Sequence, residues 1–91
     1  MTRLMNIGFG NAVNTDKVVA VVNPDAAPIK RMVQQAKENG RVIDATQGRR
    51  TKSVLITQED HIILSALQAD TLVKRFSNAG VIETKGEEDE S

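Results

Sequence analysis

V-V-A-V-V-N-P-D-A-A-P-I-K-R-M-V-Q-Q-A-K-E-N-G, residues 18 to 40, contains a change of period on which the fold turns. Residues 18 to 22 are β-branched at four of five positions and apolar on both alternating faces, the pattern of a strand covered on both sides. Beyond Pro28 the period lengthens: Ile29, Met32, Val33 and Ala36 recur at i, i+3, i+4 and i+7. Pro28 suits the first helical turn, where a missing N–H costs nothing, and Asn39 and Gly40 form a stop, so a helix is predicted over about 25 to 39. Lys30, Arg31, Gln34, Gln35, Lys37 and Glu38 fall outside the apolar stripe and face water or a partner.

Downstream, R-V-I-D-A-T (41 to 46), K-S-V-L-I-T (52 to 57) and H-I-I-L-S-A (61 to 66) have the length and β-branched content of strands. Their connections, Q-G-R-R and Q-E-D, are short enough for hairpins. A second helix is expected over about 69 to 78, burying Leu72, Val73 and Phe76 and closing at Gly80. The order β-β-α-β-β-β-α describes an α+β domain with a small, mainly antiparallel sheet and two helices. Two short helices cover one face of such a sheet, whereas residues 18 to 22 call for cover on both. Another copy of the chain supplies the rest, or Leu4, Met5 and Ile7 fill it from within; the first is favoured, and a homo-oligomer is expected.

Composition narrows the function classes. Ninety-one residues allow one domain, and a chain of this size buries only about 60 to 65% of its unfolded surface. With Phe9 and Phe76 the only aromatics, the sequence holds no stacking platform for single-stranded nucleic acid. The absence of cysteine excludes disulfides, thiolate metal sites and thiol nucleophiles. No stretch approaches 18 consecutive apolar residues and the N-terminus does not read as a signal peptide, so a cytoplasmic protein without membrane contact is expected.

The formal net charge of zero conceals an asymmetry. Residues 1 to 80 carry eleven Lys and Arg against seven Asp and Glu. The last eleven residues carry Glu83, Glu87, Glu88, Asp89 and Glu90 against Lys85. Residues 1–80 are therefore expected to form a basic folded domain and 81–91 an acidic, disordered tail that keeps the protein soluble or competes for its cations.

Within the basic body, T-Q-G-R-R-T-K (46 to 52) gathers Arg49, Arg50 and Lys52 just behind Gly48. Gly48 fits a hairpin position that needs a positive φ. Charged residues do collect on ordinary exposed turns, but such turns usually mix signs, and here no acid follows Asp44 until Glu59. Arginines at a hairpin tip match a phosphate-contacting or groove-entering element, because guanidinium presents a fork of donors to phosphate and to guanine edges. A few cations hold a duplex weakly, since affinity grows with the number of phosphates neutralised. A closed ring of identical copies would array the tips along one bent duplex, without base-specific contacts.

Four stretches, N-I-G-F-G-N (6 to 11), A-P-I-K-R (27 to 31), I-D-A-T-Q-G-R-R-T (43 to 51) and H-I-I-L-S-A-L-Q (61 to 68), closely resemble the RemA family of small bacterial DNA-binding regulators, over about residues 3 to 77. The resemblance implies a nucleoid-associated transcriptional activator of extracellular-matrix and biofilm genes, forming ring-shaped homo-oligomers that wrap double-stranded promoter DNA. It implies that Arg49 and Arg50 are the DNA-contacting pair and that Pro28 is important, here read as architectural through the helix start, as Gly48 is through its turn. Lys17 stands where the resemblance implies an arginine, and it keeps the charge without the planar fork. Lys52 completes the DNA-binding set.

Other readings carry less weight. Gly8 and Gly10 lack the third glycine and the strand-to-helix setting of a dinucleotide site, so a tight turn or bulge is expected there. His61 beside Glu59 and Asp60 lacks metal-ligand spacing and reads as a strand start. Asp44 lies in a strand between Ile43 and Ala45, with an arginine as a possible partner. No motif places paired carboxylates or a nucleophile with its base, so neither catalysis nor a cofactor or small-molecule substrate is expected. The competing class is a scaffolding ring that binds a protein through Lys30, Arg31 and Lys37.

Overall fold

The computed structural model describes residues 3–80, with side chains as far as residue 77. The acidic stretch 81–91 lies outside the described residues. The elements are β1 (Leu4–Gly8), β2 (Asn11–Asn14), a single 3-10 turn (Thr15–Lys17), β3 (Val18–Val22), α1 (Ala27–Glu38), β4 (Val42–Asp44), β5 (Ser53–Thr57), β6 (Ile62–Ser65) and α2 (Ala69–Gly80). β1 and β2 form an antiparallel hairpin, and the other four strands make a sheet in the order β3-β5-β6-β4. No helix among the described residues is long and apolar enough to cross a membrane.

The α+β class stands, with four corrections. A third strand precedes α1, because N-A-V-N pairs with β1 despite its polar ends: Met5 opposes Val13, which puts two apolar side chains into the core. The connection through Q-G-R-R is not a hairpin. β4 pairs with β6 in parallel, Val42 opposite Ile62 and Asp44 opposite Leu64, while β5 pairs with the other side of β6. The chain from β4 to β5 therefore crosses over the end of β6, spanning two inter-strand spacings of roughly 10 Å in all. By contrast, Q-E-D does close an antiparallel hairpin between β5 and β6.

The third correction concerns layers. Successive residues of a strand point to opposite faces, and the core divides accordingly. Val54, Ile62 and Leu64 face α1 with Ala36, Ile29 and Val33, whereas Leu55 and Ile63 join Met5, Ile7, Val13 and Leu72 on the other side. The two helices thus cover opposite faces, and the β1–β2 hairpin shares the second face with α2. Each fully buried aliphatic side chain, such as Ile7, Leu55 or Leu72, contributes about 1.5 to 3 kcal/mol. Met5 and Ile7 supply cover from within the chain, while Leu4 stays 70% exposed. The sheet centre therefore needs no second copy, and the uncovered apolar residues of the sheet sit on its two edge strands, Val19 on β3 and Ile43 on β4.

The fourth correction is to the helix stripes, since Met32 and Val73 remain 38% and 51% exposed while Leu72 is buried and Phe76 packs against the core. Pro28 occupies the first turn of α1, whose N-cap, Ala26, offers no side-chain acceptor, so proline is the main local start signal. At the other end Gly40 N–H donates to Lys37 O and Arg41 N–H to Ala36 O, a Schellman closure.

Candidate nucleic-acid interface

One end of the sheet collects three connections. The crossover leaves β4 through Asp44, whose Oδ1 accepts hydrogen bonds from Thr46 N–H at 2.9 Å and Thr46 Oγ1 at 2.6 Å. These bonds favour the carboxylate and hold the Asp44 pKa below its ordinary value of 3.8, the Thr46 side-chain bond contributing most. Asp44 thus anchors the loop, and among the described residues of its own chain it is paired with Thr46 and not with an arginine. Arg49 N–H donates to Thr46 O at 3.0 Å around a turn with Gln47 at φ 55° and Gly48 at φ 79°. Two successive positive φ values match a type I′ turn, so the demand for Gly48 was legible although the expected hairpin is a crossover. Beyond the turn, Lys52 N–H donates to Ser65 O, returning the chain to the far side of β6.

The second connection is the β1–β2 turn. Gly8, Phe9 and Gly10 all have positive φ (107°, 52° and 80°), and the pairing register shifts between Asn6 and Gly8, as a turn or bulge at G-F-G requires. The turn is tied to the crossover: Asn11 Nδ2 donates to Gly8 O at 3.1 Å and, more loosely, to Phe9 O and Ala45 O. The third connection, from β6 to α2, is fixed by two buried serines. Ser53 Oγ donates to Leu67 O at 2.7 Å, and Ser65 Oγ donates to Ile7 O and accepts from Leu67 N–H.

Arg49, Arg50 and Lys52 are exposed on this platform. The Arg49 guanidinium carbon lies 4.8 Å from the Phe9 ring centroid, within cation–π range. Among the described residues the Arg50 guanidinium has no hydrogen-bond or ion-pair partner. Arg50 and Lys52 line an open cleft of about 340 Å³ with Asp25 and with Gln68–Asp70 at the start of α2. Lys30 and Lys37 of α1 border an adjoining cleft that includes Thr51, so part of the basic helix face continues the loop's positive surface.

Lys17 is not brought to this end. Its carbonyl accepts from Gln58 N–H beside the β5–β6 hairpin, and Lys52 and Gln58 flank opposite ends of β5, about 20 Å apart at a strand rise of roughly 3.3 Å per residue. Its ammonium lies 4.0 Å from Glu59, an exposed contact of little energetic weight. Pro28 is exposed at the start of α1. His61 precedes β6, its N–H bonded to Thr57 Oγ1, and no group of three His, Cys, Asp or Glu able to hold a metal occurs among the described residues. Sequence reasoning missed Phe9; the available signal was an aromatic set between two glycines.

The family model for extracellular matrix regulatory protein A-like (RemA-like) proteins matches residues 4–76. A Clostridium kluyveri protein whose name alone gives it a regulatory role is 53% identical over 88 residues, covering 97% of this chain and 89% of its own. One from Thermoanaerobacter sp. (strain X514) is 54% identical over 89 residues, with 97% and 93% covered. A third, from Fervidobacterium nodosum, is 57% identical over 76 residues, with 84% and 82% covered. All three are named for a regulatory role alone. With a match that runs from β1 into α2 and includes the G-F-G turn, the crossover and the A-P-I-K-R helix start, the chain belongs to the RemA-like family.

Proposed function

We propose that this protein is a DNA-binding transcriptional regulator, an activator of extracellular-matrix and biofilm genes, that grips promoter DNA through its crossover loop. The observation that carries the reading is the crossover itself. Arg49, Arg50 and Lys52 stand exposed on a short loop held at both ends by hydrogen bonds, and Arg50 is left without a protein partner among the described residues. A loop whose backbone is already held loses less freedom on binding phosphate than a mobile one does. Membership of a family whose relatives are named for regulation supports the same reading.

Repetition supplies the affinity that one protomer lacks. The outer edges of β3 and β4 end the sheet with exposed Val19 and Ile43, and an edge strand offers unpaired backbone groups to a neighbour. Because the two edges differ, a contact between them is head-to-tail and closes into a ring when the rotation permits. Lys17, about one strand length from the crossover and facing Glu59, would then add a weaker contact on a different part of the duplex path.

A mobility-shift titration with double-stranded promoter DNA over a salt series tests the reading. Wild-type protein binds and releases with salt, and Arg49→Ala and Arg50→Ala each weaken it. Affinity unchanged from wild type in both variants would refute the assignment, and sedimentation of the free protein as a monomer would remove the ring.

A further inference from the structure

We propose that Phe9 is a positioning residue for Arg49 at the DNA interface, an inference that rests on the DNA-binding reading above. Phe76, the other aromatic, packs against the core, whereas Phe9 is 44% exposed. Its backbone is left-handed, with φ 52°, a conformation that a bulky side chain adopts at a cost and that glycine or asparagine would accept more readily. Burial of a ring left 44% exposed recovers only part of what full burial would give. What the turn achieves is placement: the ring lies under the Arg49 guanidinium at 4.8 Å.

The support beneath the ring is rigid. Gly8 N–H donates to Asn6 Oδ1, Asn11 Nδ2 ties the turn to Ala45 O, and Ser65 Oγ holds Ile7 O from below. Contact with an aromatic face uses the π-surface of the guanidinium and leaves N–H donors at its rim for phosphate oxygens. Phe9 therefore restricts Arg49 before DNA arrives, which lowers the side-chain entropy lost on binding. Arg50 has no such support among the described residues.

Two measurements test this. In the free protein, nitrogen-15 relaxation should find the Arg49 Nε–H more ordered than that of Arg50, and Phe9→Asn should equalise them. Equal order in the wild type would overturn the inference whatever DNA does. In duplex binding followed by fluorescence anisotropy, Phe9→Asn, which accepts the left-handed backbone, should weaken binding about threefold or more. Phe9→Tyr should restore it, and Phe9→Asn should add nothing to Arg49→Ala. Loss of affinity in Arg49→Ala with none in Phe9→Asn, or an undiminished Phe9→Asn loss in the Arg49→Ala background, refutes positioning while leaving DNA binding intact. A wild type that binds no duplex overturns both.

Discussion

Replacing Gly8 with alanine should destabilise the protein more than the same change at Gly10, two residues away in the same turn. A Cβ at Gly8 would lie 3.3 Å from Leu67 Cγ and 3.6 and 3.7 Å from its two methyl carbons; at Gly10 it would meet nothing within 4 Å. Backbone strain is common to both, and φ 80° at Gly10 costs an alanine about 1 to 2 kcal/mol. At φ 107° Gly8 lies further outside the left-handed well, and a cost of about 2 kcal/mol is reasonable. Leu67 yields poorly, because the tight contact is with its branch carbon and its carbonyl is held by Ser53 Oγ at 2.7 Å; overpacking there adds about 1 kcal/mol. The total of about 3 kcal/mol for Gly8→Ala exceeds Gly10→Ala by roughly 1 to 2 kcal/mol. Urea unfolding at one fixed protomer concentration reads this as midpoints separated by roughly 1 M or more. Coincident midpoints would refute the docking of the G-F-G turn on the β6–α2 link, and with it the placement of Phe9 beside the crossover.

Ser65→Ala should cost about 2 to 3 kcal/mol in the same assay, because it leaves the Ile7 carbonyl and the Leu67 N–H without their buried hydroxyl partner; a loss below about 0.5 kcal/mol contradicts that role. Asp44 has a lowered pKa when folded, so the stability it contributes is complete above its ordinary value of 3.8 and is lost as pH falls through the lowered one. Circular dichroism in acid should therefore show Asp44→Asn, which keeps an oxygen acceptor for Thr46, losing less stability than wild type below roughly pH 4. Lys17→Ala should reduce the salt dependence of duplex binding less than Arg50→Ala does, since Lys17 lies at the other end of β5 and already faces Glu59; an equal reduction would give Lys17 a full phosphate contact of its own and contradict this ranking.

The elements were legible where one periodicity dominated. The i, i+3, i+4, i+7 stripe from Ile29 and the Pro28 and Gly40 punctuation gave α1 to within about two residues, and β-branched runs located β3, β5 and β6. Pairing was less legible. A glycine with positive φ after a strand signals a type I′ turn, but such a turn also starts a crossover, and the choice depends on whether β4 finds β5 or β6 as its neighbour. That is a tertiary decision, made here where Ile43 meets Ile63 in parallel register. The same limit hid β2, whose polar Asn11 and Asn14 flank the buried Val13. Arg49, Arg50 and Lys52 could be selected from sequence because like charge concentrated beside a glycine is uncommon. The link from Arg49 to Phe9 joins residues forty positions apart, and no local pattern carries it.

Gripping a duplex by repetition is tested most directly by the salt dependence of affinity for a long duplex. Arg49, Arg50 and Lys52, with Lys30 and Lys37 beside them, give one protomer five phosphate contacts at the crossover end of its sheet. At about 0.9 per phosphate, that limits the slope of log affinity against log salt to about −4.5. A slope well steeper than this on a long duplex, falling back toward it on one short enough for a single protomer, is the expected result. A slope no steeper than about −4.5 at every duplex length, or one unchanged in the Arg49→Ala, Arg50→Ala double variant, would contradict it.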